Sequence, residues 1–248
     1  MDKTSIKKTL NLLKLYKESG VSEITTSYPQ NRTLSKKTTE AKKMDSLTDI
    51  KTSLILDEPN LDDVNTLEEL KEKISSFKGC DLYKSATNMV FSDGNPNSKI
   101  MLIGEAPGHD EDIQAKPFVG RSGKLLDKML EAISLNRNKV YIANIIPWRP
   151  PSNRRPTEEE ISTCLPFVLK HIEIIKPKAL MLLGSTATFA LLKNTESISK
   201  IRGKWVNLTV NKITVSTIPT FHPAFLLRQP GQKKHVWADL QSLRDKIK

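Results

Sequence analysis

Four short, predominantly apolar runs constrain this chain more than any other feature: Lys99–Ile103, Val140–Ile146, Ala179–Leu183 and Ile213–Ile218. Runs of this length, rich in Ile, Leu and Val and lacking strict alternation, suit strands buried on both faces. Helical patterns separate the first three, over Ser122–Ile133 and Thr157–Ile175, and another follows the third at Ser185–Leu192. Strand and helix alternating over short connections predict a three-layer α/β/α domain with a central, mostly parallel four-stranded sheet. No tandem repeat of 20–50 residues is visible, which sets solenoids and propellers aside.

The chain has 248 residues, 38% hydrophobic and 27% charged, enough for one sizeable packed core with an appendage. Residues 5–18 set leucines among lysines as a short amphipathic helix that Gly20 would cap; its use as a packing appendage is preferred to a transit peptide, because Asp2, Glu18 and Glu23 accompany the lysines. Residues 21–62, rich in Ser, Thr and Lys, read as a linker, so the expected division is 1–62 and 63–248. Ordered sequence resumes with Thr66 as an N-cap and Glu69 in the capping-box position.

No stretch approaches the roughly 18 consecutive apolar residues of a membrane span, and no apolar signal core is expected at the N-terminus. Two cysteines, Cys80 and Cys164, suit a reducing compartment and are too few for a disulfide framework. A cytoplasmic monomer is the expectation. Thirty-nine Lys and Arg against 28 Asp and Glu give a net charge of +11. That excess fits either a solubilising surface or a polyanionic partner. Residues 1–60 hold 11 basic and 8 acidic side chains, so most of the excess lies in the main domain.

Ligands of open parallel sheets bind beyond the C-terminal strand ends. There this sequence places Gly104-Glu-Ala-Pro-Gly108, Asn144, Gly184-Ser185 and His222. Glu105, Asn144 and His222 are therefore expected to converge. The 104–108 loop offers backbone N–H groups with little side-chain bulk, yet lacks both the Gly-Lys-Ser/Thr ending of a nucleotide-binding loop and the G-x-G-x-x-G pattern. Phe118, between Pro117 and Gly120, is either a core contact or a ring that stacks on a base. Pro147–Pro156 combines four prolines with Arg149, Arg154 and Arg155, stiff backbone with planar cationic donors suited to phosphate. In His222–Arg228, apolar side chains on a loop make sense as a wedge filling the gap left by an extruded base.

Four ordered segments carry a family resemblance: Gly-Glu-Ala-Pro-Gly-His-Asp-Glu-Asp (104–112), Pro-Phe-Val-Gly-Arg-Ser-Gly (117–123), Asn-Ile-Ile-Pro-Trp-Arg-Pro-Pro-Ser-Asn-Arg (144–154) and His-Pro-Ala-Phe-Leu-Leu-Arg (222–228). Together, over roughly 66–248, they resemble the family 4 uracil-DNA glycosylases. The resemblance implies hydrolysis of the glycosidic bond of a flipped-out uracil in DNA, leaving an abasic site. It makes Gly104, Glu105, Ala106, Pro107 and Gly108 the catalytic loop, with Glu105 acting on the attacking water or on the charge of the sugar. Phe118 would stack on uracil, Asn144 would read its edge and His222 would contact O2. Arg149, Arg154, Arg155 and Arg228 would hold DNA phosphates, and Leu226, with Phe225 beside it, would be the wedge. A catalytically silent DNA-binding module on the same fold is the alternative; the complete set Glu105, Phe118, Asn144 and His222 favours the enzyme. A covalent crosslinker is disfavoured, because Gly108–Phe118 is short and carries only His109.

One departure concerns a cofactor. Family 4 members usually hold an iron–sulfur cluster on four cysteines. The corresponding positions here are Phe77, Cys80, Trp148 and Cys164. With two ligands replaced by large apolar rings, no cluster and no other metal is expected, Phe77 and Trp148 filling the space and the two thiols lying buried.

Overall fold

The computed structural model describes residues 59–247. The expected helix at 5–18 and nearly all of the expected linker lie outside the described residues. The four apolar runs become adjacent parallel strands: β2 (Ile100–Gly104), β3 (Tyr141–Asn144), β4 (Ala179–Leu183) and β6 (Ile213–Thr220). Two further strands correct the expected count of four. A two-residue β1 (Asp93–Gly94) pairs antiparallel with β3, and β5 (Val206–Val210) pairs antiparallel with β6, giving the order β1-β3-β2-β4-β6-β5.

Period-two alternation divides the central strands between two cores. Met101, Ile103, Tyr141, Ala143, Leu180 and Leu182 face one side. There they meet α1 (Leu67–Ser76), α5 (Glu158–Ile175) and α6 (Ser185–Leu192). Ile100, Leu102, Ile142, Ala179, Met181 and Leu183 face the other, against α4 (Arg121–Glu131) and α9 (Lys233–Ile247). The strands read as continuous apolar runs because both faces are covered, and the three layers follow. Among the described residues no helix is long and apolar enough to cross a membrane.

Local chemistry sets the helix boundaries. Thr66 accepts from the Glu69 N–H at 3.2 Å, while the Glu69 carboxylate accepts from the Thr66 N–H at 3.0 Å. Thr157 and Glu160 repeat this capping box at the start of α5. Shorter helices complete the domain: α2 (Leu82–Ser85), α3 (His109–Gln114), α7 (Ile198–Ile201) and α8 (Pro223–Arg228).

Register determines where chemistry can occur. Gly104 pairs with Asn144 across β2 and β3, Ile103 with Leu182 across β2 and β4, and Leu183 with Thr220 across β4 and β6. The C-terminal ends of the four parallel strands are therefore nearly level. The loops that follow them share one edge of the sheet.

Candidate active site

A cavity of about 560 Å³ opens at that edge. Of the residues singled out from sequence, it is lined by Glu105, Ala106, Pro107, Gly108, Phe118, Asn144, Arg154, His222, Phe225 and Arg228. Gly104 lies just behind: a Cβ there would stand 2.5 Å from both Asn144 Oδ1 and Phe118 Cζ. Only glycine lets the amide and the ring approach the end of β2 so closely.

Asn144 is 8% exposed, and its Oδ1 is the one buried side-chain polar atom without a hydrogen-bond partner among the described residues. Such an acceptor costs about 1–3 kcal/mol to leave unsatisfied, so the arrangement is suited to a donor that arrives with a ligand. Across the cavity, His222 caps α8. Its Nδ1 accepts from the Ala224 N–H at 3.1 Å, which leaves the ring proton on Nε2. Burial of the ring and the charge of Arg228 push the imidazole pKa down to about 4. His222 is thus a neutral donor near pH 7, with a tautomer fixed by the helix it begins.

The Phe118 ring lies 5.5 Å from the His222 ring, centroid to centroid. Its backbone holds φ +55°, a left-handed value uncommon for an aromatic residue. Two features hold that turn. Arg137 donates to the Phe118 carbonyl and, at 3.1 Å, to the Pro117 carbonyl, while ion pairs with Asp93 (2.6 Å) and Asp127 (2.8 Å) fix its guanidinium. At Gly123, a Cβ would stand 1.7 Å from the Phe118 carbonyl oxygen.

Glu105 follows β2, and its Oε2 accepts a 2.5 Å hydrogen bond from the Thr186 hydroxyl. Thr186 is the sole side-chain partner of that carboxylate among the described residues. Glu111 joins the two sides of the cavity: one carboxylate oxygen accepts from the Gly108 N–H at 3.2 Å, the other from Val119 and Gly120 at 3.0 and 2.9 Å. Sequence reasoning missed Thr186, Glu111 and Arg137. Only the acidic residue three positions beyond Gly108 carried a local signal, since Gly108 and Glu111 are spaced as a helix start.

Other residues sit differently from expectation. Leu226 is corrected: at 1% exposure it packs in the core against α4 and α9 and does not project toward DNA. One turn of α8 directs it inward, and the exposed neighbour is Leu227, at 39%. The proline-rich loop's arginines have partners within the protein. Arg149 donates to Asn153 Oδ1 at 2.7 Å and His109 Nδ1 at 3.0 Å, Arg154 pairs with Glu160 at 2.5 Å, and Arg155 donates to Thr186 Oγ1 at 3.1 Å. Arg154 and Arg155 remain exposed.

The residues at the four cluster positions do not fit an iron–sulfur group. Cys80 and Cys164 are buried in one core, and interaction with Cys80 together with burial raises the Cys164 thiol pKa strongly. Trp148 is buried in the same core, and the Phe77 ring packs edge-on against Phe167 at 5.1 Å. Two thiols and two rings are not a four-thiolate donor set.

Comparison with known proteins agrees with this geometry. Residues 91–241 match the model of the uracil DNA glycosylase superfamily. The type-4 uracil-DNA glycosylase of Sulfurisphaera tokodaii is 39% identical over 187 residues, covering 73% of this chain and 85% of that protein. The type-4 enzyme of Thermotoga maritima is 38% identical over 185 residues, covering 73% of this chain and 95% of that protein. The match over residues 91–241 and identities of this level across most of both relatives place the chain in the uracil DNA glycosylase superfamily, on its type-4 branch.

Proposed function

We propose that the protein excises uracil from DNA by hydrolysing the bond between uracil N1 and the sugar C1′. The observation that carries this reading is the unpartnered, buried Oδ1 of Asn144 in the same cavity as the fixed Nε2–H of His222. Uracil presents N3–H to such an acceptor and O4 to the amide N–H, whereas cytosine reverses both. A cytosine would leave buried polar atoms unpaired, at about 1–3 kcal/mol each. Phe118 supplies the face on which the everted ring stacks.

As the C1′–N1 bond breaks, its electron pair leaves with uracil, charge gathers on O2, and the sugar becomes cationic. The neutral His222 donates a hydrogen bond from Nε2 to O2; a ring with a pKa near 4 has no second proton to give at pH 7, so it stabilises the anion without becoming its acid. Glu105 stabilises the cationic sugar and takes a proton from the water whose oxygen bonds to C1′. The departing uracil anion is then protonated from solvent. Arg154, Arg155 and Arg228, at or beside the cavity mouth, face the DNA backbone, with Phe225 and Leu227 as the apolar side chains available to fill the vacated stack. This chemistry proceeds on a chain that folds without an iron–sulfur cluster, Phe77 and Trp148 occupying its place.

Incubation with a uracil-containing oligonucleotide followed by alkali tests the reading. Strand scission at the uracil is expected; tight binding with no scission would instead make the protein a recognition module. Asn144→Asp should slow uracil release roughly 10- to 100-fold and narrow the preference for uracil over cytosine. Unchanged selectivity would remove Asn144 as the reader. Purified protein should show no visible iron–sulfur absorbance.

A further inference from the structure

We infer that Thr186 is a positioning residue for the Glu105 carboxylate, oriented in turn by Arg155. This rests on the reading of Glu105 as the residue that acts on water and sugar. Thr186 occupies the first turn of α6 and is 1% exposed, and it does not line the cavity, so any effect on the reaction passes through its neighbour. Its hydroxyl has one proton. Arg155 Nε donates into the hydroxyl oxygen at 3.1 Å, and the proton is directed to Glu105 Oε2. Arginine has no acceptor, so the direction of this chain cannot reverse. One oxygen of Glu105 is thereby held, and the second is left without a protein partner among the described residues, free for water or the sugar.

The contacts join three segments that are far apart in sequence. Glu105 follows β2, Thr186 follows β4 at the neighbouring strand end, and Arg155 belongs to the exposed proline-rich loop after β3. Arg155 also donates to Ser185 Oγ at 3.3 Å through Nη2. Two hydroxyls of α6 thus hold the guanidinium of this exposed arginine, while Nη1 has no partner among the described residues. A side chain first read as a phosphate contact also sets the direction of a hydrogen bond to the reacting carboxylate.

Thr186→Val removes the hydroxyl and keeps the branched shape, and Thr186→Ser keeps the hydroxyl. Under single-turnover conditions Thr186→Val should excise uracil roughly 10- to 100-fold more slowly, while binding a 2′-fluoro-uracil oligonucleotide, which resists cleavage, as tightly as the unaltered protein. Thr186→Ser should stay within about threefold of it. In a Glu105→Gln background, Thr186→Val should add little. The proposal is overturned if Val and unaltered protein react alike, if Ser is as slow as Val, or if the Val loss is undiminished without Glu105. A readout independent of turnover is the ¹³C resonance of the Glu105 carboxyl, assigned by its loss in Glu105→Gln. It should move in Thr186→Val and not in Thr186→Ser. Were the unaltered protein unable to cleave, that resonance would still decide the contact, so failure of the activity and failure of the contact are separable.

Discussion

Phe118 shows how much the site depends on single residues holding uncommon conformations. Its φ of +55° persists because Arg137 grips two consecutive carbonyls of the turn and Gly123 leaves room beneath them. Arg137→Met should therefore loosen the ring with no change in the groups that react. We expect weaker binding of a uracil oligonucleotide and a several-fold loss in kcat/KM. Combined with Phe118→Ala, the loss should fall well short of additive, because both changes remove one stacking surface. Measured kcat/KM values for the two single variants and the double variant decide this. Residues of this kind were invisible in the sequence. Glu105, Asn144 and His222 could be found because each stands near the C-terminal end of an apolar run; Arg137 and Thr186 act over 19 and 81 positions of chain and carry no local pattern. Leu226 misled for a related reason. The motif locates the segment, and only the phase of α8 decides which leucine faces outward.

Among the elements, the parallel strands were legible because they are buried on both faces. β5 was not: its exposed and buried residues interleave, with Asn207 and Thr209 among them, and it is defined by pairing with β6. β1 is too short to leave a pattern at all. The end of β6, which delivers His222, is secured by a contact equally absent from local sequence. Buried Asp239 on α9 accepts from the Thr220 hydroxyl at 2.6 Å and pairs with Arg202, just beyond α7. Burial pushes its carboxyl pKa up against the pull of those partners. Asp239→Ala would strand a mostly buried guanidinium and an unpaired hydroxyl. A loss of about 3 kcal/mol in unfolding free energy is expected from urea denaturation.

For the whole molecule, two histidines weigh on acid stability, His171 in the core and half-buried His222 at the cavity. Burial lowers His171 to about 3, and burial with the charge of Arg228 lowers His222 to about 4, each from an ordinary 6.5. Below pH 6.5 the unfolded chain therefore takes up protons that the folded chain refuses. Stability contributed by neutral His222 declines until about pH 4 and that of His171 until about pH 3, together on the order of several kcal/mol. Urea midpoints measured between pH 7 and 4 should fall with acidification, and His171→Gln should flatten the decline. The Glu111 carboxylate ties Gly108 to Val119 and Gly120, so the two loops that border the cavity are held to each other by one side chain. The labour of eversion then falls on the nucleic acid itself, so a wobbling uracil opposite guanine should be released sooner than one firmly matched to adenine.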